Sequence, residues 1–251
     1  MTDPAMTGRP SPRGPVLTFF AVTAVAAALF WTAKAVPLLQ NNLQAVIAVL
    51  FFYAPVIAGR LRKDPFDFHD AGLTLQPWGL NARVLAGALA LTFPLFIAGF
   101  FGFYELVCGA RAHGLPEAVH RLCPHVPWTG LAGGHLRLPA NFALLAANQV
   151  LVVALPEEVF FRGYLLQRLE ATWPPTRRIA GAPVGVALVL ASALFALGHL
   201  LVDLNPQRLA VFFPGLVFGW MRARTGSLAA GTAFHASCNL LSELLHTSFF
   251  G

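Results

Sequence analysis

Leu155-Pro156-Glu157-Glu158-Val159-Phe160-Phe161-Arg162 puts two adjacent carboxylates and a guanidinium inside a stretch that otherwise reads as membrane-spanning. A charged side chain at a bilayer centre costs about 2.5–3.5 kcal/mol on insertion scales. Ionisable groups at that depth therefore pair with one another, face the interior of a bundle and mark a working site. Glu158 and Arg162 are four residues apart, so on a helix they share one face and can pair. Glu157 lies about 100° further round and is free to point elsewhere. This spacing allows one carboxylate to be neutralised by Arg162 and the other to be used for chemistry. The plainer alternative for Glu158 and Arg162 is a structural ion pair.

The rest of the chain has the composition of a membrane protein. Hydrophobic residues make up 57% and charged residues 11%. The mean hydropathy is +0.65. A soluble domain carries about 25% charged residues. Apolar segments of spanning length recur at about Val16–Leu39, Leu43–Gly59, Val84–Val107, Ala140–Leu169, Ile179–Val202, Leu209–Met221 and Leu228–Phe250. The expected fold is an all-α polytopic transmembrane helix bundle of seven spans, or eight if Pro156 breaks the glutamate segment in two.

The first fourteen residues are rich in Pro, Gly and Arg and are expected to be disordered. Residues 15–251 contain no polar stretch long enough for a second domain, so one membrane-embedded domain is expected. The first apolar run is long and is not followed by a small-residue cleavage signal, so it reads as an anchor.

The formal charge of +6 comes from arginines in the connections, which argues topology rather than nucleic-acid binding. On seven spans, eleven basic residues fall on one side, among them Arg9, Arg60, Arg62, Lys63 and Arg83. Four fall on the other: Arg111, Arg121, Arg137 and Arg208. The N-terminus is then cytoplasmic, in what reads as a bacterial inner membrane. The fifteen Arg against two Lys fit a GC-rich genome.

Cys108, Cys123 and Cys238 exclude a disulfide-rich scaffold and have no CxxC spacing. The first two flank one loop and can pair if that loop faces an oxidising compartment. His113, His120, His125 and His135 in the same loop are irregularly spaced and read as solvated. Asp64, Asp67 and Asp70 beside Arg60, Arg62 and Lys63 read as an interfacial charged loop.

Two further polar clusters lie on apolar segments. In Phe195-Ala196-Leu197-Gly198-His199 the histidine is near the end of its span, and Phe195 sits one turn before it. In His235-Ala236-Ser237-Cys238-Asn239, His235 and Asn239 share a helix face and offer two side-chain donors toward one point. Each alone also reads as a hydrogen-bonded core residue or interhelical glue. Ser237 and Cys238 adjoin His235, but adjacent helix positions do not face each other, which argues against a serine or cysteine protease.

The joint order is more specific than any single cluster. EExxxR (Glu157, Glu158, Arg162), then FxxxH (Phe195, His199), then HxxxN (His235, Asn239) resembles the CAAX-processing and bacteriocin-processing family (CPBP, or Abi) of intramembrane endopeptidases, myxosortase-like bacterial members included. Arg162-Gly163-Tyr164 and the run from Phe213 to Trp220, followed by Arg224-Thr225-Gly226-Ser227-Leu228, resemble the family in the same way. The resemblance covers about residues 140–245.

It implies hydrolysis of a peptide bond near the C-terminus of a membrane-tethered or lipidated protein or peptide, for which membrane lipids are the surroundings. Glu157 is the candidate general base, since a carboxylate taken out of water holds a proton more readily. His199 is expected to share the attacking water and pass its proton to the leaving amine. His235 and Asn239 are expected to form the oxyanion hole. Glu158, Arg162 and Phe195 would support them.

No cofactor is expected. The alternative is a zinc enzyme using Glu157, His199 and His235, although HExxH spacing is absent. A proton-coupled carrier or scaffold is the non-enzymatic alternative, against which no internal repeat is visible. One tension is geometric. On straight spans His199 falls toward the outer end of its helix, His235 toward the inner half of its own, and Glu157 near mid-span.

Overall fold

The computed structural model describes residues 11–109, 114, 116–120, 122–124 and 126–250. Seven long helices carry the chain: α1 (Arg13–Ala33), α2 (Pro37–Arg62), α3 (Trp78–Cys108), α4 (Phe142–Thr172), α5 (Val186–Asp203), α6 (Phe212–Thr225) and α7 (Ala229–Phe249). Five of them, α1 to α5, are long and apolar enough to cross a membrane by length and composition. The fold is an all-α helix bundle, as expected.

Several boundaries differ from the hydropathy reading, each for a local reason. α1 starts at Arg13, so Arg13 and Gly14 are helical rather than disordered. The Gly14 carbonyl accepts from Arg62 Nη2 at 2.6 Å, which ties this end of α1 to α2. Residues 1–10, including Arg9, lie outside the described residues. α1 ends six residues earlier than the apolar run does, because Pro37 cannot continue it and instead begins α2 after an extended Val36. Lys34 thereby leaves the span and joins a connection.

The segment before α5 is not helical from Ile179. Arg177–Ile179 (β1) and Ala182–Val184 (β2) pair as an antiparallel hairpin. Its turn, Ala180-Gly181, has positive φ at both residues (46° and 79°), the two-residue geometry that matches strand twist.

Pro156 does not break α4. The helix stays continuous through two wide π-helical stretches, Gln149–Ala154 and Val159–Leu166, on either side of a short α-helical Leu155–Glu158. Such bulges re-register backbone bonds that a proline would leave open, and they recur at functional sites.

The two ends of the bundle are distinct. At one end the α2–α3 connection folds back beneath the start of α7. Arg222 Nε donates to the Ala71 carbonyl at 3.1 Å, and the Leu228 amide donates to the Gly72 carbonyl at 2.8 Å. Ser227 Oγ donates to the Thr74 carbonyl, and Arg168 pairs with Asp64. The β-hairpin lies here too, held by Trp220 Nε1 donating to the Ile179 carbonyl.

At the other end, Cys108 and Cys123 form a disulfide that closes the connection after α3. Thr129 binds the Phe249 carbonyl through both its amide and its hydroxyl, and the Arg137 amide donates to Ser248 Oγ at 2.9 Å. Trp128 packs with Phe100, Tyr104 and Phe250, and its Nε1 donates to Glu105. Arg111, Arg121, His113 and His125, which the sequence places in this connection, lie outside the described residues.

Between these ends the core is aromatic. Phe160, Phe161 and Tyr164 of α4 pack with Phe19 of α1, Phe51 of α2 and Phe195 of α5, and Phe218 of α6 lies against Phe195 and Phe234.

Candidate active site

The three motifs converge. Glu158 and Arg162 pair as the i, i+4 spacing predicts, with Arg162 Nη1 donating to Glu158 Oε1 at 2.8 Å, and both side chains buried. Arg162 Nη2 donates to the Gly215 carbonyl of α6 at 3.1 Å. Its guanidinium also lies over the rings of Phe195 and Phe218, 4.3 and 4.9 Å from their centroids. A buried guanidinium needs such compensation, because stripping its water is repaid only when its donors and its planar face are both used.

Glu158 Oε1 also faces His235 Nδ1 at 3.1 Å. The carboxylate can only accept, so Nδ1 carries the proton and donates. Glu158 thereby fixes the tautomer of His235 and leaves Nε2 for the cavity. Phe218 stacks on the same imidazole, with centroids 4.7 Å apart and an interplanar angle of 14°. Gly231 supplies the room for this arrangement: a Cβ there would lie 3.3 Å from Glu158 Oε2.

His199 is oriented by its own helix. Its Nδ1 meets the Phe195 carbonyl at 2.9 Å, and the carbonyl must accept. The second nitrogen is again left for the cavity. The Phe195 ring touches His199 edge-on at 4.5 Å and His235 at 6.0 Å. One aromatic ring thus contacts Arg162 and both histidines.

Glu157 points away from Arg162, as its helix angle predicts. Its Oε2 lies 3.8 Å from His235 Nε2 and 4.0 Å from His199 Nε2. This oxygen is buried and makes no direct hydrogen bond. Gaps of this size are ones that a single water can bridge. In a neutral ring with its proton on Nδ1, each facing nitrogen is a proton acceptor. A water placed there would meet three acceptors, which is an environment that favours removing its proton.

Asn239 lies one turn beyond His235, but its Nδ2 donates to Gln149 Oε1 at 2.9 Å. The two donors expected to aim at one point therefore have separate partners, Glu158 for His235 and Gln149 for Asn239. Sequence reading missed Gln149 and gave Phe218 no role. The polar pair Asn148-Gln149 in the otherwise apolar run 142–156 was the available signal for the first.

All four residues line one cavity of about 570 Å³, together with Phe195 and Gln149. The tension between levels is resolved by helix offsets. Val186 to His199 is a rise of about 20 Å, and Ala229 to His235 about 9 Å. α7 therefore starts about 11 Å deeper in the bundle, above the folded-back connection that carries the buried Ala71.

Glu157, His199 and His235 are not gathered tightly as metal ligands. Among the described residues, the one trio with donor atoms within 4.8 Å of one another is Asp67, His69 and Asp70, which is exposed at the arginine-rich end. A zinc ion takes its ligands at about 2.0–2.2 Å, so the cavity trio would have to contract to hold one. Of the loop histidines, His135 accepts from Arg137 Nε at 2.9 Å.

An all-α bundle with five helices long and apolar enough to cross a membrane thus closes around a carboxylate and two histidines. Residues 139–241 match the family model described as type II CAAX prenyl endopeptidase Rce1-like, in agreement with the resemblance to the CAAX-processing (CPBP) proteases. The matched segment includes Glu157, Glu158, Arg162, Phe195, His199, His235 and Asn239. Comparisons with curated proteins and with solved structures found no match.

Proposed function

We propose that the protein is an intramembrane endopeptidase that hydrolyses a peptide bond near the C-terminus of a membrane-tethered or lipidated protein, using a water activated by Glu157. One observation carries the reading: a buried Glu157 oxygen facing the Nε2 atoms of both His199 and His235. Glu157 takes a proton from the water as its oxygen attacks the scissile carbonyl carbon. The same proton passes, with His199 as relay, to the leaving amine as the C–N bond breaks. The products are one carboxylic acid and one amine.

The oxyanion is met by the Asn239 amide and by His235. His235 donates from Nε2 once protonated, and Glu158 stabilises that imidazolium. Preorganised donors of this kind contribute about 100- to 1,000-fold each. The family match supports a protease. A carrier or scaffold has no comparable support.

The test is cleavage of a panel of membrane-tethered C-terminal tails by purified protein, wild type beside Glu157→Gln, with and without chelator. Cleavage that survives chelator and vanishes in Glu157→Gln is the expected result. Activity lost to chelator and restored by zinc would replace it with the metalloenzyme reading. Cleavage unchanged in Glu157→Gln would remove Glu157 from the mechanism.

A further inference from the structure

The cavity has a direction. Its lining residues Phe30, Gln44, Gln149, Asp203, Arg208 and Glu243 sit toward the same end of the bundle, near helix ends or in the α5–α6 connection. Gln44 accepts from Asn148, the neighbour of Gln149 near the start of α4, and Asp203 pairs with Arg208 across the α5–α6 connection. α4 follows directly from the disulfide-closed connection, and the far end of α7 is bonded to Thr129 and Arg137 of that connection. The mouth therefore shares an end of the bundle with the Cys108–Cys123 disulfide. The opposite end is closed by the folded-back connection, the β-hairpin and the aromatic core.

Two independent features assign that end to a compartment. A disulfide persists in an oxidising compartment and is rare in the cytosol. Basic residues also divide unequally. Among the described residues, Arg13, Arg60, Arg62, Lys63, Arg83, Arg168, Arg177, Arg178, Arg222 and Arg224 lie at the closed end, against Lys34, Arg137 and Arg208 at the mouth. The positive-inside rule puts the closed end in the cytoplasm.

We infer that the active-site cavity opens away from the cytoplasm, and that its substrates are membrane-anchored proteins whose cleavable segment emerges on the extracytoplasmic side. The choice of substrate rests on the protease reading above, whereas the sidedness does not. A segment still in the cytoplasm meets the closed end and cannot reach Glu157. The class of reaction that supplies such substrates is therefore export or membrane insertion of the anchored chain, which must precede cleavage.

The test has two arms in a Cys238→Ala background. In intact cells, a membrane-impermeant maleimide should label Arg208→Cys at the mouth and leave Arg177→Cys in the hairpin unlabelled, with the pattern reversed in inverted membrane vesicles. Labelling of Arg177→Cys alone in intact cells would overturn the inference. In the second arm, the native enzyme is given one single-span reporter inserted in both orientations. Cutting of the reporter whose C-terminal segment is outside supports the substrate class, and cutting of the cytoplasm-facing copy overturns it. If neither copy is cut, the substrate class falls with the protease reading, and the labelling arm still decides the sidedness.

Discussion

Glu158 and His235, 77 residues apart in the chain, meet at 3.1 Å, and the same carboxylate oxygen accepts from Arg162 at 2.8 Å. Glu158 therefore does two things: it neutralises a buried cation and fixes which histidine nitrogen faces the cavity. Neither partner can be removed without exposing the other in a dry interior.

Arg162→Met should for that reason be strongly destabilising. Leaving a buried carboxylate unpaired costs about 3–5 kcal/mol, whereas replacing both members of a buried pair with apolar residues is often neutral. The double variant Glu158→Leu/Arg162→Met should recover much of the lost thermal stability in detergent and still lack activity, because the His235 tautomer is no longer held. A double variant no more stable than the single would show that the pair is not coupled.

Glu157→Gln should keep the fold and lose about 100- to 10,000-fold in cleavage rate, the range for removing a general base. The amide is close in size to the carboxylate, and Glu157 Oε2 makes no direct hydrogen bond that the substitution would break. Melting temperature and single-turnover cleavage measured on the same preparation separate the two effects.

Asn239→Ala should slow cleavage about 100- to 1,000-fold if its amide serves the oxyanion. Gln149→Ala should slow it less, because Gln149 acts only by holding that amide at 2.9 Å. In a double-mutant cycle the two effects should be non-additive, since the residues share one hydrogen bond. Full additivity would mean that Gln149 and Asn239 act independently.

Replacing Cys108 or Cys123 with Ser opens a link across a sequence separation of 15 residues. The chain-entropy account gives about 3 kcal/mol for a loop of this length. The melting temperature should fall in either variant, and reductant should lower it in the wild type alone. Because the closed connection lines none of the cavity among the described residues, kcat at low temperature should be nearly unchanged.

The pairing of Glu158 with Arg162 and the separate heading of Glu157 were legible because both follow from helix periodicity within one segment. The clustering of the three motifs was legible only as a resemblance. No spacing rule says that His235, early in its helix, reaches the level of His199, near the end of its own. That level depends on how far α7 is raised by a connection folding beneath it, which is tertiary information. The partner of Asn239 was hidden for the same reason: Gln149 is 90 residues away, on another helix. The β-hairpin at Arg177–Val184 escaped because hydropathy averages across a tight turn, while Pro174, Pro175 and Gly181 mark one locally.

α6 has 14 residues, Phe212–Thr225, and so spans about 21 Å, against about 30 Å for the hydrocarbon layer of a bilayer. Lipid beside a spanning helix this short would thin, or the headgroup level would dip, on the side where Asp203, Asn205, Gln207 and Arg208 lead into α6. A hydrolase enclosed in oil has to be supplied with its second reactant. A mismatch of this kind would bring bulk water down toward the cavity that holds Glu157.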